Sequence, residues 1–518
     1  MIKNPRLPVF VIFVVFIAFL LSVCDLFQTS LTAYLKEETG GGTLPAGGDE
    51  SGNKDDGPWV YVAASSGDDA KTGWSAGEAV KTIGRALDIW ESEGSAEAKI
   101  MLLEDITWTA LGGGSTAGML VFSSSPSFPP VIEIPPGITD VILNGGGKAL
   151  NQDQPYRVLR IDCPGTTITL KNITVTGGRA GSGDGGGIRL DNGALVLAEG
   201  AGISYNEAAR GGGVYINSGT FTMKSGTIRE NTATSEGGGV FVGNTTSEFT
   251  MQAGTVSENR ANSSTGKGGG ICVGPGGTFT MEGGTVKGNV SDNDGGGVYV
   301  YGNAGNTGSA LIRNGYIGVS GGGNKAKYGA GIYTAGYGNL TLGNSSENDP
   351  WPYVQYNIAD NTGGGAVVHD TGGAAATMNF YNGTISNNNG ATLGGGILLV
   401  TGALYMNGGK VTGNSAVTGP GITVQSHSTG SSSFYMGAYA RVLDTANPVY
   451  LDYSAAGPRH IELGMFAGDL TGGIAKIALS TGYSAGVDKV LYGDLTYHDK
   501  FTVISSPSYT IDSSGFLQ

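Results

Sequence analysis

Short apolar runs alternate with polar residues and return at near-constant intervals through the middle of this chain. Each return opens with a glycine-x-glycine triplet and continues with an alternating run such as Val240-Phe241-Val242. A run of the type Phe-Thr-Met follows, then Gly-Thr-Ile or Gly-Thr-Val, and an asparagine tends to precede the next triplet. The triplets begin at Gly185, Gly211, Gly237, Gly268, Gly295, Gly329, Gly363, Gly394 and Gly419.

Each run is too short to form a helix and lacks the helical period. Glycine and asparagine tolerate the positive φ angles of tight corners, so they suit the turns between runs. Three strands and three corners per repeat predict one turn of a triangular coil. Stacked coils would pair each strand in parallel with its copies above and below. We expect this pairing to fail around residues 305–355, where the spacing stretches and prolines indicate a loop insertion.

The alternation also predicts which side chains point into the coil. Because side chains in a strand alternate between two faces, the first and third residues after each triplet should lie inside, as should Val240 and Phe249, with Thr250 outside. The second residue should point outward, and aromatic rings recur there. Such a stripe either stacks to hold the register or offers an exposed flat platform for sugar rings or a partner protein. Its members are Tyr215, Phe241, Tyr299 and Tyr333.

The first residues of the chain have the pattern of an export signal. Two basic residues precede an almost wholly apolar segment over residues 7–23. The end of that segment, Leu21-Ser22-Val23-Cys24, resembles a bacterial lipobox, although lipoboxes prefer glycine or alanine where Val23 stands. The resemblance implies a lipid on Cys24, while an uncleaved signal anchor and a cysteine placed by chance are the alternatives. All three place the rest of the chain outside the cytoplasm, in the cell envelope, surface-exposed or anchored in the outer membrane.

The start of the repetitive region resembles a known opening. Residues 61–69 read as a strand and a Gly-Asp turn, and residues 81–87 have apolar residues at helical spacing. This order resembles pectate-lyase-like right-handed parallel β-helix proteins, and Gly-Gly-Gly-Val-Tyr resembles repeats of bacterial surface proteins and, more loosely, chlamydial polymorphic outer-membrane proteins. The resemblance covers roughly residues 59–440 and implies fold and surface location, but no activity. The predicted fold class is all-β, a right-handed parallel β-helix (solenoid) with an N-terminal capping helix and C-terminal capping strands.

Composition and apolar periodicity divide the chain into five predicted parts. The stretch before the first predicted strand lacks apolar periodicity and cannot bury enough surface to order itself. The predicted parts are a leader over 1–23, a flexible tether over 24–58, an N-terminal cap with the first coils over 59–158, glycine-rich β-helix repeats over 159–440, and degenerate final coils with a C-terminal cap over 441–518.

Charge and cysteine content restrict the partners. The formal net charge of −14 argues against nucleic acid, because phosphate binding requires a basic surface. Cys163 and Cys272 are too far apart in sequence for a disulfide framework or a zinc site, so we interpret them as filler. No metal or other cofactor is predicted. The predicted partners are a glycan or protein ligand on the outer face and, through the N-terminus, a membrane.

The repeat pattern does not bring the candidate catalytic carboxylates together. Cleavage of sugar chains needs paired acids on neighbouring coils, yet Asp191 and His369, which share one outward position, lie six coils apart. His369 and Asp370 are adjacent and should face opposite ways. Asp184, Asp292 and Asp294 lie in glycine-rich turns, where capping of the turn is favoured over calcium binding. The sequence therefore predicts no catalytic residue and favours a surface adhesin, binding protein or structural stalk, with a carbohydrate-active enzyme as the alternative.

Overall fold

Nearly all of the described chain is β-structure, with 5% helix. The computed structural model describes residues 58–518, apart from 108–119, 124–130, 153–154, 345–350, 371–375, 426–431, 443, 445, 455–456, 467–473, 480–482, 486–487 and 505–508. Contacts group Pro58–Gln518 into one compact unit. The predicted leader, nearly all of the predicted tether and Cys24 lie outside the described residues.

The strands stack as a parallel β-solenoid of about 11 turns, as the repeat predicts. Each strand pairs in register with its equivalents in adjacent coils, so that Val240 lies between Val214 and Ile271. The repeated coils contain four strands rather than the predicted three. The extra strand falls between the asparagine and the next glycine triplet, and its copies form a separate 7-stranded sheet beside the main 37-stranded sheet. We call the four columns of strands the first to fourth ladders.

Strand bounds follow the ladders. Three long strands, Asp140–Asn151, Leu159–Thr176 and Ile188–Leu197, run through a corner and belong to more than one ladder. The first ladder also contains Leu120–Ser123, Val214–Ile216, Val240–Val242, Ile271–Val273, Val298–Tyr301, Ile332–Ala335, Ala366–His369, Ile397–Leu399, Ile422–Val424, Val449–Leu451, Ala475–Leu479 and Phe501–Val503. The second contains Val60–Val62, Glu97–Leu102, Gly219–Met223, Ser247–Met251, Thr278–Met281, Gly308–Ile312, Gly338–Leu342, Thr377–Phe380, Gly402–Met406, Ser432–Ala438, Ile461–Phe466 and Leu491–Gly493.

The remaining ladders are shorter. The third contains Ile106–Thr107, Gly202–Ser204, Thr227–Arg229, Thr255–Ser257, Thr285–Lys287, Gly315–Ile317, Pro352–Gln355, Thr384–Ser386 and Lys410–Thr412. The fourth contains Glu207–Arg210, Thr232–Glu236, Arg260–Ala261, Val290–Ser291, Lys325–Tyr328, Ile358–Thr362 and Asn389–Gly390. Val131–Glu133 pairs with Leu120–Ser123, and Tyr453–Ser454 pairs antiparallel with Gly457–Pro458.

The pairing does not fail where the sequence predicted a break. Val298 pairs with Ile332, and Gly315 pairs with Pro352. The extra residues of this region are accommodated at corners, so the ladders continue on both sides of residues 345–350, which are not described.

The inward positions are confirmed. Val240 and Phe249 are fully buried, while Thr250 is half-exposed. Phe249 stacks between Phe221 and Phe279 of the neighbouring coils, with ring centroids 4.8 and 5.1 Å apart. Each such aromatic pair contributes about 0.5–1.5 kcal/mol beyond the area it buries. The interior is therefore one continuous apolar column.

Each repeated asparagine has a side chain inside the coil, and this was not predicted. The positive φ angle belongs to the residue before it, as at Glu258, where φ is 57°. The side-chain amide of Asn259 donates to the side-chain oxygen of Asn289 at 2.9 Å and to the third-ladder carbonyl of Ile228 at 2.9 Å. The buried asparagine column consists of Asn206, Asn231, Asn259, Asn289, Asn324, Asn357, Asn388, Asn414 and Asn447.

In seven of the nine triplets the middle residue is glycine, and it marks a close contact between the corner and the fourth ladder. A Cβ on Gly238 would lie 2.6 Å from the backbone of Arg260 in the fourth ladder. The first glycine, Gly237, has a φ of 67°, which only glycine adopts without cost. The triplet therefore lets the fourth strand fold directly against the corner.

The predicted capping helix is present at the N-terminal end. It spans Ile83–Ser92, and Thr82 caps it by accepting a hydrogen bond from the backbone N–H of Arg85 at 3.1 Å. Its apolar face, including Leu87, is buried against the first strands. Two short 3-10 helices, Ala76–Glu78 and Leu495–Lys500, complete the helical content. No helix among the described residues is long and apolar enough to cross a membrane.

Candidate functional site

The predicted aromatic stripe exists as a column, but it is buried. Tyr215 stacks on Phe241 and Tyr299 stacks on Tyr333, each pair with ring centroids 5.3 Å apart, and Cys272 lies between the pairs. The side chains point away from the main core, as predicted, and form a second apolar cluster. They are not exposed, because the glycine corner folds back over them: a Cβ on Gly295 would lie 2.8 Å from the Cβ of Tyr299. The prediction of an exposed platform at these four residues is therefore wrong.

A ladder of alternating charges lies over this aromatic column. Its members immediately precede successive glycine triplets, and neighbours pair across the coils. Arg210 donates two hydrogen bonds to the carboxylate of Asp184, at 2.8 and 2.9 Å. The ammonium of Lys267 lies 3.1 Å from the carboxylate of Glu236. From the N-terminal side the charge ladder consists of Asp184, Arg210, Glu236, Lys267 and Asp294.

The two cations of the charge ladder cover the rings beneath them. The guanidinium of Arg210 lies 5.1 Å from the ring centre of Tyr215, and the ammonium of Lys267 lies 4.8 Å from that of Tyr301. The Tyr301 hydroxyl donates to Glu236 at 3.2 Å. Cations over ring faces are attracted by the ring quadrupole. The charges and rings therefore stabilise one another across five coils.

Asp294 ends the charge ladder, because the next position holds Tyr328 instead of a cation. Burial raises the pKa of Asp294 to about 6, an effect that Lys267 and Lys327 oppose. Burial therefore disfavours the charged form of Asp294 at the end of the ladder.

The other acids predicted to be isolated or turn-capping have cationic partners. Asp191 is buried between Arg160, at 2.6 Å, and Arg189, at 2.8 Å. Asp292 lies 2.6 Å from Arg260. The structure therefore assigns these acids to ion pairs. Among the described residues, no group of three or more His, Cys, Asp or Glu side chains is arranged to hold a metal ion.

His369 is far from Asp191 along the first ladder. Six parallel pairings separate the two coils, which corresponds to about 30 Å. The Nδ1 atom of His369 lies 2.6 Å from the Tyr333 hydroxyl. His369 therefore belongs to the end of the aromatic column and does not meet Asp191.

The two internal cysteines are buried free thiols. Burial raises the pKa of Cys163 to about 12 and that of Cys272 well above its usual value. Both thiols stay protonated at neutral pH, which agrees with their interpretation as filler.

Sequence reasoning missed a second group of aromatic residues. The side chains of Tyr381, Tyr405 and Tyr439 are 36–51% exposed, on the corner where the second ladder turns into the third. Tyr405 stands in the outward position of its strand, which alternates buried and exposed. The period-two signal was present at Tyr405, but Tyr381 and Tyr439 lie in corners outside the repeated runs, so the repeat alone did not reveal the group.

No family model, curated protein or solved structure matches this chain.

Proposed function

We propose that this chain is an exported, membrane-tethered cell-surface protein that acts as a stalk, adhesin or binding protein rather than as an enzyme. The observation that carries this proposal is the charge ladder. Arg210 and Lys267 engage the carboxylates of Asp184 and Glu236 and cover the aromatic column below.

This arrangement favours a stiff structural role over a catalytic one. An acid held by a cation at hydrogen-bond distance has its oxygens engaged within the fold and would have to leave that ion pair to act on a substrate. The buried asparagine column adds bonds between successive coils at the start of the fourth ladder, whereas the charge ladder lies at its end. Because each coil contacts only its neighbours, such repeated bonds stiffen the solenoid along its length. A long stiff body suits a protein that holds a binding surface away from a membrane.

The location rests on the leader pattern and on the resemblance to pectate-lyase-like surface proteins. A lipid on Cys24 would anchor the chain, and the predicted tether over 24–58 would separate the anchor from the solenoid. One acyl chain alone binds a membrane weakly, so stable anchoring would need a second chain.

The test of location uses bacteria that produce the full-length chain and its Cys24→Ala variant. We expect the wild type to incorporate labelled palmitate, to partition into detergent and to be cut by protease added to intact cells. Cys24→Ala should lose the label, whereas the matched variant Cys163→Ala should keep it. Unchanged labelling of Cys24→Ala would refute lipidation, and protection of both proteins in intact cells would refute the surface location.

A second function, polysaccharide cleavage, has one observation in its favour. Glu236 and Asp294 lie on the same face two coils apart, about 10 Å, which is near the upper limit for the carboxyl pair of an inverting glycosidase. The raised pKa of Asp294 would suit a general acid. Turnover of pectate, alginate or a neutral glycan by the wild type, lost in Asp294→Asn, Asp191→Asn or His369→Ala, would establish the enzyme and overturn our proposal. We expect no turnover.

A further inference from the structure

Three exposed tyrosines and one partly buried tyrosine form a patch where the second ladder turns into the third. Tyr405 and Tyr435 occupy equivalent positions of neighbouring strands, with ring centroids 6.1 Å apart. Tyr381 follows the second-ladder strand of the coil before Tyr405, and Tyr439 follows the strand that contains Tyr435. We call these four residues the tyrosine patch.

The patch extends along the solenoid over two coil steps. The backbone N–H of Asn407 donates to the carbonyl of Phe380, and that of Tyr439 donates to the carbonyl of Asn407. Tyr381, Asn407 and Tyr439 therefore belong to one corner column in three successive coils, with Tyr439 one residue further along the chain than the register partner of Asn407. Since adjacent coils lie about 4.8 Å apart, the outer tyrosines are separated by about 10 Å. This length suits a short run of sugar rings.

The protein itself does not use the polar ends of these rings. Within the described residues, no hydrogen bond engages the hydroxyl groups of the four tyrosines, whereas the partly buried Tyr301 and the buried Tyr333 are both bonded. Gly437 and Gly464 leave room for the ring of Tyr435. A Cβ on Gly437 would lie 3.2 Å from the ring of Tyr435, and a Cβ on Gly464 would collide with its hydroxyl oxygen. Tyr435 can therefore lie against the backbone with its other side outward.

The side chains beside the patch are two amides and one carboxylate, since the exposed Glu462 is the register neighbour of Tyr435. Asn379 stands next to Tyr405 in the register, and its amide donates to Asn339 at 3.2 Å, which leaves its own side-chain oxygen available. Asn407 lies between Tyr381 and Tyr439 in the corner column. Aromatic faces stack on the C–H faces of sugars, and amides match sugar hydroxyl groups.

We propose that the tyrosine patch binds a neutral glycan. The proposal deepens the proposed function and rests on it, because it names the ligand class of the exported solenoid. The four tyrosines carry no charge, Glu462 beside Tyr435 is acidic, and the chain has a net charge of −14. Both negative contributions disfavour polyanionic glycans. An uncharged polymer of pyranose rings therefore fits the patch better than a polyuronate.

The experiment is affinity electrophoresis of the full-length chain in mild detergent through gels containing hydroxyethylcellulose, mannan or laminarin. We expect at least one polymer to retard the wild type. Tyr405→Ala and Tyr439→Ala should each weaken the retardation about fivefold, and the double variant at least tenfold. Tyr405→Phe should bind nearly as the wild type, because it keeps the ring. The control Tyr156→Ala removes an exposed tyrosine from outside the patch and should change nothing.

Several results would overturn this proposal. They are the absence of retardation by all three neutral polymers, retardation by polygalacturonate alone, equal weakening by Tyr156→Ala, or retention on immobilised gelatin without any polymer shift. None of them affects protease accessibility on intact cells, which tests the proposed function separately.

Discussion

The side-chain oxygen of Asn259 accepts two hydrogen bonds from Asn231 of the preceding coil, one from its backbone N–H at 3.0 Å and one from its side-chain amide at 2.9 Å. The amide of Asn259 donates two bonds in turn, to Asn289 and to the carbonyl of Ile228. The side chain is fully buried and fully bonded. A buried column of this kind fixes the register of the coils, because any slip would leave these polar groups without partners.

Replacement of Asn259 should therefore destabilise the solenoid strongly. Asn259→Ala removes the acceptor of the Asn231 backbone N–H and the side-chain donor to the carbonyl of Ile228. The side-chain oxygen of Asn289 keeps only its bond from the backbone N–H of residue 259. Each buried group left unsatisfied costs about 1–3 kcal/mol. We expect a clear fall in the apparent melting temperature of the full-length chain, followed by far-ultraviolet circular dichroism. The control Asn262→Ala removes an exposed asparagine nearby and should have little effect. Equal melting temperatures for both variants would show that the column contributes nothing.

A charge in the apolar interior should be more damaging than the same charge outside it. Val240 is fully buried, and Thr250 points outward from the neighbouring strand. A buried carboxylate without a partner must be neutralised or unfold its surroundings. Val240→Asp should cost about 4 kcal/mol or more, whereas Thr250→Asp should stay within about 1 kcal/mol. Thermal melting of the two variants compares them directly, and a larger loss for Thr250→Asp would contradict the observed orientation.

The sequence predicted the inward column well for a physical reason. A residue such as Phe249 faces inward because strand side chains alternate, and that alternation is local. Exposure of the outward Tyr299 could not be predicted the same way. It depends on where the corner at Gly295 directs the chain, and the corner covers the ring only when the fourth strand is in place. That strand is two to five residues long in each coil, too short to produce a periodic signal.

The asparagines illustrate the same limit. The repeat revealed their spacing, but Asn259 was interpreted as the corner residue itself. The left-handed residue is Glu258, a type that seldom adopts positive φ. The bonds of Asn259 extend to other coils, and no local pattern encodes them. The tyrosine patch was missed because its members come from strands and corners of different coils.

Truncation of a tyrosine in the aromatic column should destabilise the fold far more than truncation of a tyrosine in the tyrosine patch. Tyr299 is 4% exposed and stacks under Lys267, whereas Tyr405 is 41% exposed. Tyr299→Ala should cost about 3–5 kcal/mol, because it leaves a cavity in a packed cluster. Tyr405→Ala should change stability by about 0.5 kcal/mol or less. Urea unfolding followed by tyrosine fluorescence compares them, and an equal or smaller loss for Tyr299→Ala would mean that the aromatic column is not structural.

Asp294 should make the free energy of unfolding depend on pH. Its folded pKa of about 6 lies above its ordinary value of 3.8, so the folded state holds this proton more tightly than the unfolded state. For an acid with a raised pKa, the stabilising effect is present at low pH and is lost as the pH rises through the folded pKa. Ionisation of Asp294 should therefore cost the folded chain roughly 1–3 kcal/mol above about pH 6, and nothing below about pH 4.

The variant Asp294→Asn removes that cost while keeping the size of the side chain. We expect it to raise the urea midpoint relative to the wild type at about pH 7.5 and to leave the midpoint unchanged at about pH 4. Asp292→Asn is the matched control, because Asp292 is bonded to Arg260 and its loss should lower the midpoint slightly at neutral pH. A lower midpoint for Asp294→Asn at neutral pH would show that attraction to Lys267 outweighs burial, and the charge ladder would then be stabilised by all five of its members.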